Sequence, residues 1–360
     1  MTHAAPVSPV DRNGLRERVD KALTEFLAGQ RVRLAAVDDA LIPVAEAIEA
    51  FVLGGGKRLR PAFAYWGFRG AGGVDSDQVI TALAALEFVQ ASALIHDDLM
   101  DRSDTRRGEP AVHRRFATRH REAGWGGDPD GFGDAAAILL GDLCLVWSDE
   151  LLHSAGLDLW ALARSRPVFD EMRTEVTVGQ YLDVLTQVTG DTSVQRASKV
   201  ARFKSAKYTV ERPMLLGAAL ADAPQDVRAA YSAYGLTLGE AFQLRDDVLG
   251  VFGDPALTGK PAGDDLREGK RTYLVAAAVE ATDDAGRELL LGRLGDQELD
   301  EPGVTLLREV ISGSGALART EQRIATLTDA ALTALTAVDL DTEARQALVD
   351  LAIAATRRTD

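Results

Sequence analysis

The sequence predicts an all-α protein. Apolar residues recur at three- and four-residue spacing over long windows, and no run of alternating β-branched residues is convincing. Proline is scarce, 12 of 360 residues, and sits mostly between the periodic stretches. In chain order, residues 1–12 read as a flexible N-terminal tail. Helical windows follow at 13–29, 35–53, 58–69 and 76–103. Arg121 to Asp134 is Gly-rich and long enough to be a mobile flap. Further windows cover 134–155, 159–187, 193–220, 224–252 and 267–281, with several more between 284 and 357. No repeat of fixed period is present, and no linker divides the chain, so 13–360 is read as one helical domain.

Charge narrows the function. There are 40 Lys+Arg against 55 Asp+Glu, a formal net charge of −15. Such a chain is a poor partner for nucleic acid or anionic membrane, and any phosphate must be met by local cations or by metal ions. The single cysteine, Cys144, excludes a disulfide framework and a Cys-rich zinc site, and five histidines argue against a His-based metal centre. The start, MTHAAPVSPVDRNG, lacks the features of a secretory signal. No stretch approaches the ~18 uncharged apolar residues of a membrane span. The expected location is cytoplasmic.

Two helices stand out. From Gln78 to His96 the only charged side chain is Glu87, and from Ala229 to Leu244 it is Glu240. Helices apolar nearly all round belong at the centre of a large bundle. Each runs abruptly into acid: His96-Asp97-Asp98-Leu99-Met100-Asp101 and Arg245-Asp246-Asp247. Asp97 and Asp101 are four apart and share a helix face, where like charges repel and the helix C-terminus adds to the cost. A cation must compensate. Oxygen-only ligands suit Mg²⁺, which takes one or two carboxylates, keeps waters and shares substrate phosphates. One such cluster is also an ordinary solvated helix end; two, each closing an apolar helix, are not. The second cluster has Gly250 where a carboxylate would stand four residues on, and Asp254 reads better as a loop residue than as a ligand.

The cations flank these clusters. Gly54-Gly55-Gly56-Lys57-Arg58-Leu59-Arg60 joins a glycine turn to three positive charges without forming a nucleotide P-loop. Arg106-Arg107-Gly108 follows the first acidic cluster, and Lys204-Ser205 lies early in the 193–220 window. Lys260 and Lys270 follow the second cluster. Metal-bridged polyphosphate is the natural occupant of such a set.

Taken together, Gly55 to Pro61, Asp97 to Asp101 with Arg106-Arg107-Gly108, and Phe242 to Asp247 with Gly253-Asp254 resemble the trans-isoprenyl diphosphate synthases (polyprenyl synthetases). The resemblance implies a single helical bundle around a central cavity, of the isoprenoid synthase type, and a homodimer. It implies condensation of isopentenyl diphosphate with an allylic diphosphate (dimethylallyl, geranyl or farnesyl). By motif position, Asp97, Asp101 and Asp246 would hold a Mg²⁺ cluster, with Asp98 and Asp247 in support. Arg106, Lys204 and Lys260 would help grip the allylic diphosphate, and Gln243 would position the allylic group. Lys57, Arg60, Gln90 and Arg107 would hold isopentenyl diphosphate. Arg58, Ser205 and Lys270 complete the expected substrate set, Ser205 standing where many relatives carry Thr.

The chemistery is consistent with this set. Stabilising the leaving pyrophosphate by metal and cations lowers the barrier to forming an allylic cation, which the held alkene attacks; no side-chain nucleophile is needed. In this family the product tail slides along the helix before the first acidic cluster. Ala93 and Ser92, four and five residues upstream of Asp97, are small and leave the passage open, and a stop near Phe88 or Val89 suits a C20 product, geranylgeranyl diphosphate. Farnesyl (C15) and longer (C25 and above) products are the alternatives. A class I terpene cyclase would need a different second metal motif, and a non-catalytic synthase subunit would have lost an acidic cluster.

Overall fold

The computed structural model describes residues 8–254 and 263–357. They are helical almost throughout. The helices are α1 (Leu15–Val37), α2 (Ile42–Leu53), α3 (Leu59–Gly70), α4 (Asp77–Met100), α5 (Val112–Glu122), α6 (Pro129–Ser154), α7 (Leu159–Thr189) and α8 (Val194–Val200). A π-helical segment, Ala201–Glu211, continues α8 into α9 (Arg212–Leu220) and α10 (Gln225–Phe252). Then come α11 (Asp264–Arg267), α12 (Tyr273–Ala281), α13 (Asp284–Arg293), α14 (Glu301–Gly313), α15 (Ala316–Leu335) and α16 (Thr342–Thr356). A two-stranded hairpin, Thr105–Arg106 with Glu109–Pro110, is the β-structure among the described residues.

The chain groups into two compact units that interleave in sequence. One takes the described residues up to Pro167 with Leu216–Ala223 and Leu340–Leu348; the other takes Val168–Leu215, Pro224–Asp339 and the described residues from Val349. Each is built around one of the two apolar helices.

In the first unit, α4 packs chiefly on α6, with α1 and α3 beside it. The Ser76 hydroxyl caps its start by accepting from the Val79 N–H, satisfying one of the donors that a helix N-terminus leaves open. By length and composition α4 could cross a membrane: its most apolar window has a mean hydropathy of 1.6, so the expectation that no stretch comes near a span is corrected. That window is 72% buried inside the protein, which is the reason for its apolar character. Phe88 makes edge-on contacts with Phe26 of α1 and Trp147 of α6.

This packing gives Phe88 a structural setting between neighbouring helices of the first unit. Phe88 lies nine residues, about two and a half turns, before Asp97, so it faces the opposite side of α4. The side chains below Asp97 on its own face are Ala93, Gln90 and, about three turns back, Leu86.

Two other expectations are revised. Residues 8–12, read as tail, are tied down: Val10 is buried and the Pro9 carbonyl accepts from Trp66 Nε1. The Gly-rich span 121–134 is not one long flap, because α6 begins at Pro129, capped by Asp128. The short turn between α5 and α6 is held by an Arg121–Asp130 ion pair and by Trp125 and Phe132 against His120.

In the second unit, α10 packs against α15 and the π-helical segment. Gly239 makes the latter approach possible, since a Cβ there would meet the Ala206 backbone at 2.6 Å. On α7, a Cβ at Gly179 would collide with the Lys204 backbone nitrogen. Two glycines on neighbouring helices thus seat the segment that carries Lys204 and Ser205. π-Helical turns are rare and gather at functional sites.

Candidate active site

The first acidic cluster lies where α4 ends. Arg102 adopts a left-handed backbone (φ 57°), the Ser103 N–H donates to the Asp98 carbonyl, and the Arg102 N–H donates to the Leu99 carbonyl. This is the Schellman arrangement, which stops a helix and satisfies its last carbonyls. The stop leaves Asp97 and Asp101 one turn apart, with the Asp101 N–H donating to the Asp97 carbonyl at 2.8 Å.

Asp98 is oriented differently. It is fully buried and accepts from Arg106 Nε at 2.8 Å and from Nη2 of the same guanidinium. Arg106 Nη2 also lies 3.9 Å from Asp97. A buried carboxylate is tolerated when it is paired and hydrogen-bonded, so Asp98 positions Arg106 beside Asp97. The hairpin enforces this, for Arg107 and Gly108 both have positive φ, as a two-residue type I′ turn requires.

The cations gather at the start of α3. Arg58, expected to bind substrate, is a correction. It is 4% exposed, and its guanidinium is engaged by Asp20 at 2.7 Å, Glu87 at 2.5 Å and the Val52 carbonyl at 2.9 Å. It anchors the glycine loop rather than facing a ligand. Lys57 beside it is exposed, and Arg60 and Gln90 are half-buried. Arg107 donates to the Gly55 carbonyl. Burial lowers the Arg107 pKa, Glu87 opposes this, and the nearby charges of Arg58, Arg106 and Arg60 lower it further. Several cations close to one another suit a polyanion.

In the second unit, Asp246 is half-buried on α10 while Asp247 is 2% exposed. Asp247 accepts from Gln243 Nε2 at 2.8 Å and from the Tyr273 N–H at 3.2 Å, fixing the start of α12. Burial pushes its carboxyl up to about 7, against the Gln243 bond and helped by the charge of Asp265. The second aspartate of each pair is therefore an inward anchor. Arg245 is likewise structural, bonded to Glu321 and the Thr356 carbonyl.

Lys204 Nζ pairs with Asp183 of α7 at 2.7 Å. Ser205 is buried next to it. Asp183 escaped sequence reasoning; the available signal was its place one helical turn after the close-packed Gly179. Beyond Lys204, Glu175 binds Lys207 and Arg212, whose combined hydrogen bonds hold it below the usual carboxylate range although burial alone would raise it. Lys270 pairs with Glu268 and lies 3.7 Å from Asp265. Lys260 lies outside the described residues, and Asp254 is exposed.

Among the described residues no group of three or more His, Cys, Asp or Glu side chains could hold a metal ion. The donors available are pairs of carboxylates. That set fits Mg²⁺, which completes its shell with water and substrate phosphate. Cys144 is buried, which pushes its thiol up and makes it a poor nucleophile.

The family profile described as Polyprenyl synthetase matches residues 43–309. The chain belongs to that family. It is a prenyltransferase of the prenyl diphosphate synthase type. A geranylgeranyl pyrophosphate synthase from Corynebacterium glutamicum, solved with isoprenyl diphosphate and magnesium, is 43% identical, with 96% of this chain and 98% of that one covered and a TM-score of 0.93. A geranylfarnesyl diphosphate synthase of Aeropyrum pernix is 34% identical over 281 residues, 75% of this chain and 79% of the relative. A (2E,6E)-farnesyl diphosphate synthase of Mycobacterium bovis is 34% identical over 263 residues, 72% and 68% respectively.

The anchor role of Arg58 is open to measurement. Arg58→Ala leaves Glu87, 7% exposed, as an uncompensated buried charge, and removing one partner of such a pair costs about 3–5 kcal/mol. Urea unfolding followed by circular dichroism is expected to show that loss, whereas a surface substrate-binding arginine would leave the midpoint almost unchanged.

Proposed function

We propose that this polyprenyl synthetase joins isopentenyl diphosphate head-to-tail to an allylic diphosphate and releases geranylgeranyl diphosphate. The observation that carries the reading is the pair of charge arrangements in the first unit: Asp97 and Asp101 on one face at the end of α4, and Arg106, Arg107 and Arg60 gathered by the hairpin and the glycine loop.

In this reading Asp97 and Asp101 in the first unit, and Asp246 on α10 in the second, are the residues that would hold magnesium. When bound, the metal supplies Lewis acidity that stabilises the departing pyrophosphate. Arg106, aimed by Asp98, adds charge-assisted hydrogen bonds to that anion as it forms. Lys204 exchanges Asp183 for a phosphate oxygen. Gln243 uses its amide donor on Asp247, so its carbonyl oxygen is what it offers to the allylic cation. Lys57, Arg60 and Arg107 hold the diphosphate of isopentenyl diphosphate, and Gln90 lies on the same side of α4 as Asp97. Holding the alkene against the cation makes carbon–carbon bond formation effectively unimolecular. The proton then lost passes to pyrophosphate.

Product length follows from the phase of α4. Ala93, small and half-buried, leaves the Asp97 face open, and Leu86, fully buried on that face, closes it about 16 Å from Asp97 along the axis. Relatives with farnesyl and geranylfarnesyl products have comparable identity, so the choice of product rests on this face and on the geranylgeranyl synthase that matches nearly the whole chain.

We also infer a homodimer. On α6, Ile138, Leu139 and Val146 are 48%, 65% and 61% exposed, a stripe at helical spacing that a second copy of the chain would cover.

The purified protein, given Mg²⁺, isopentenyl diphosphate and each allylic primer in turn, should consume isopentenyl diphosphate and yield geranylgeranyl diphosphate on chromatography; no consumption would defeat the proposal. Ala93→Phe should shift the product to farnesyl diphosphate, and Leu86→Ala should lengthen it. Leu139→Asp combined with Val146→Asp should convert a dimer to a monomer by light scattering, and a wild-type monomer would remove the dimer from the account.

A further inference from the structure

We propose that Asp265 supplies the second acidic cluster with the carboxylate that α10 lacks at position 250. This deepens the functional reading above and rests on it. The first cluster sets the pattern, with Asp97 and Asp101 one turn apart on a helix face. On α10 the same step from Asp246 arrives at Gly250, where a carboxylate would repeat the spacing of the first cluster.

The space at that position is filled. A Cβ built on Gly250 would fall on Asp265 Oδ2, with Cγ at 2.5 Å and Oδ1 at 3.1 Å. Any side chain at 250 would expel the Asp265 carboxylate. Residues i and i+4 of a helix have Cβ atoms about 5–6 Å apart. A carboxylate seated where the Gly250 Cβ would be therefore stands to Asp246 much as Asp101 stands to Asp97, but arrives from α11 instead of from the same helix.

Asp265 is well fixed for this part. Its carbonyl accepts from the Lys270 N–H at 2.9 Å, and Lys270 Nζ lies 3.7 Å from its Oδ1. The next residue, Leu266, is fully buried, and its carbonyl accepts from the Gly295 N–H. The Asp265 side chain keeps 14% exposure, enough for one oxygen to meet a metal-bound water. We assign it as a positioning residue that orients the waters of the ion held at Asp246. The missing carboxylate is displaced in sequence and retained in space.

The test moves the carboxylate between the two positions. Mn²⁺ binding is measured by electron paramagnetic resonance in the presence of inorganic pyrophosphate, alongside the Mg²⁺ dependence of kcat and KM. Loss of an outer partner of a metal site commonly weakens affinity by about 10- to 100-fold. Asp265→Asn, nearly isosteric, should bind Mn²⁺ about tenfold more weakly while its melting temperature in chelator stays that of the parent. The exchange Gly250→Asp with Asp265→Gly should recover most of that affinity. Parental Mn²⁺ binding by Asp265→Asn, or an exchange variant no better than Asp265→Asn, overturns the proposal. A parent that binds Mn²⁺ through Asp265 but consumes no isopentenyl diphosphate would defeat the functional reading alone; normal synthesis with Mn²⁺ affinity indifferent to Asp265 would defeat this inference alone.

Discussion

The structure is organised by the cost of placing like charges at the ends of apolar helices. Carboxylates in the closing turns of α4 and α10 repel one another and oppose the negative end of the helix dipole. The protein offsets part of this itself. Arg106 is locked onto Asp98, and Gln243 with the Tyr273 N–H is turned onto Asp247. The outer aspartates, Asp97 and Asp246, are half-buried. The Schellman ending of α4 and the tight hairpin after it are the local structure needed to bring Arg106 back to the acid within eight residues.

The positive side obeys the same logic in reverse. Arg58 is neutralised by Asp20 and Glu87 and holds a loop of glycines in place. Burial, with the charges of Arg58, Arg106 and Arg60, lowers the Arg107 pKa, and Glu87 opposes it. The acidic helix ends and this basic loop are thus separate concentrations of opposite charge, each partly compensated by its own partners. The net charge of −15 also makes such a basic cluster unusual enough to be noticed in the sequence.

Much of this was legible in the sequence because its causes are local. Helical periodicity, the two apolar helices and the acidic runs at their ends are patterns a few residues wide. The helix starting at Pro129 was missed although Asp128-Pro129 is a good cap-and-first-turn pair, because the glycines around it suggested a loop. Phe88 stands on the opposite side of α4 from Asp97, against Trp147, which a count of residues alone does not reveal. The burial of Arg58 had no local sign, since its partners Asp20 and Glu87 lie 38 and 29 residues away. Asp183 and Asp265 were hidden for the same reason. Each gains its role from a glycine that lets another helix or turn come close, and a missing side chain does not announce what fills its place.

In both acidic pairs, an architectural aspartate is the immediate neighbour of one that is only half-buried. The inner aspartates, Asp98 and Asp247, are tied to arginine, glutamine and backbone, so replacing them disturbs the scaffold. The outer ones, Asp97 and Asp246, are half-buried, so a change at an inner position bears on the scaffold before it bears on the outer face.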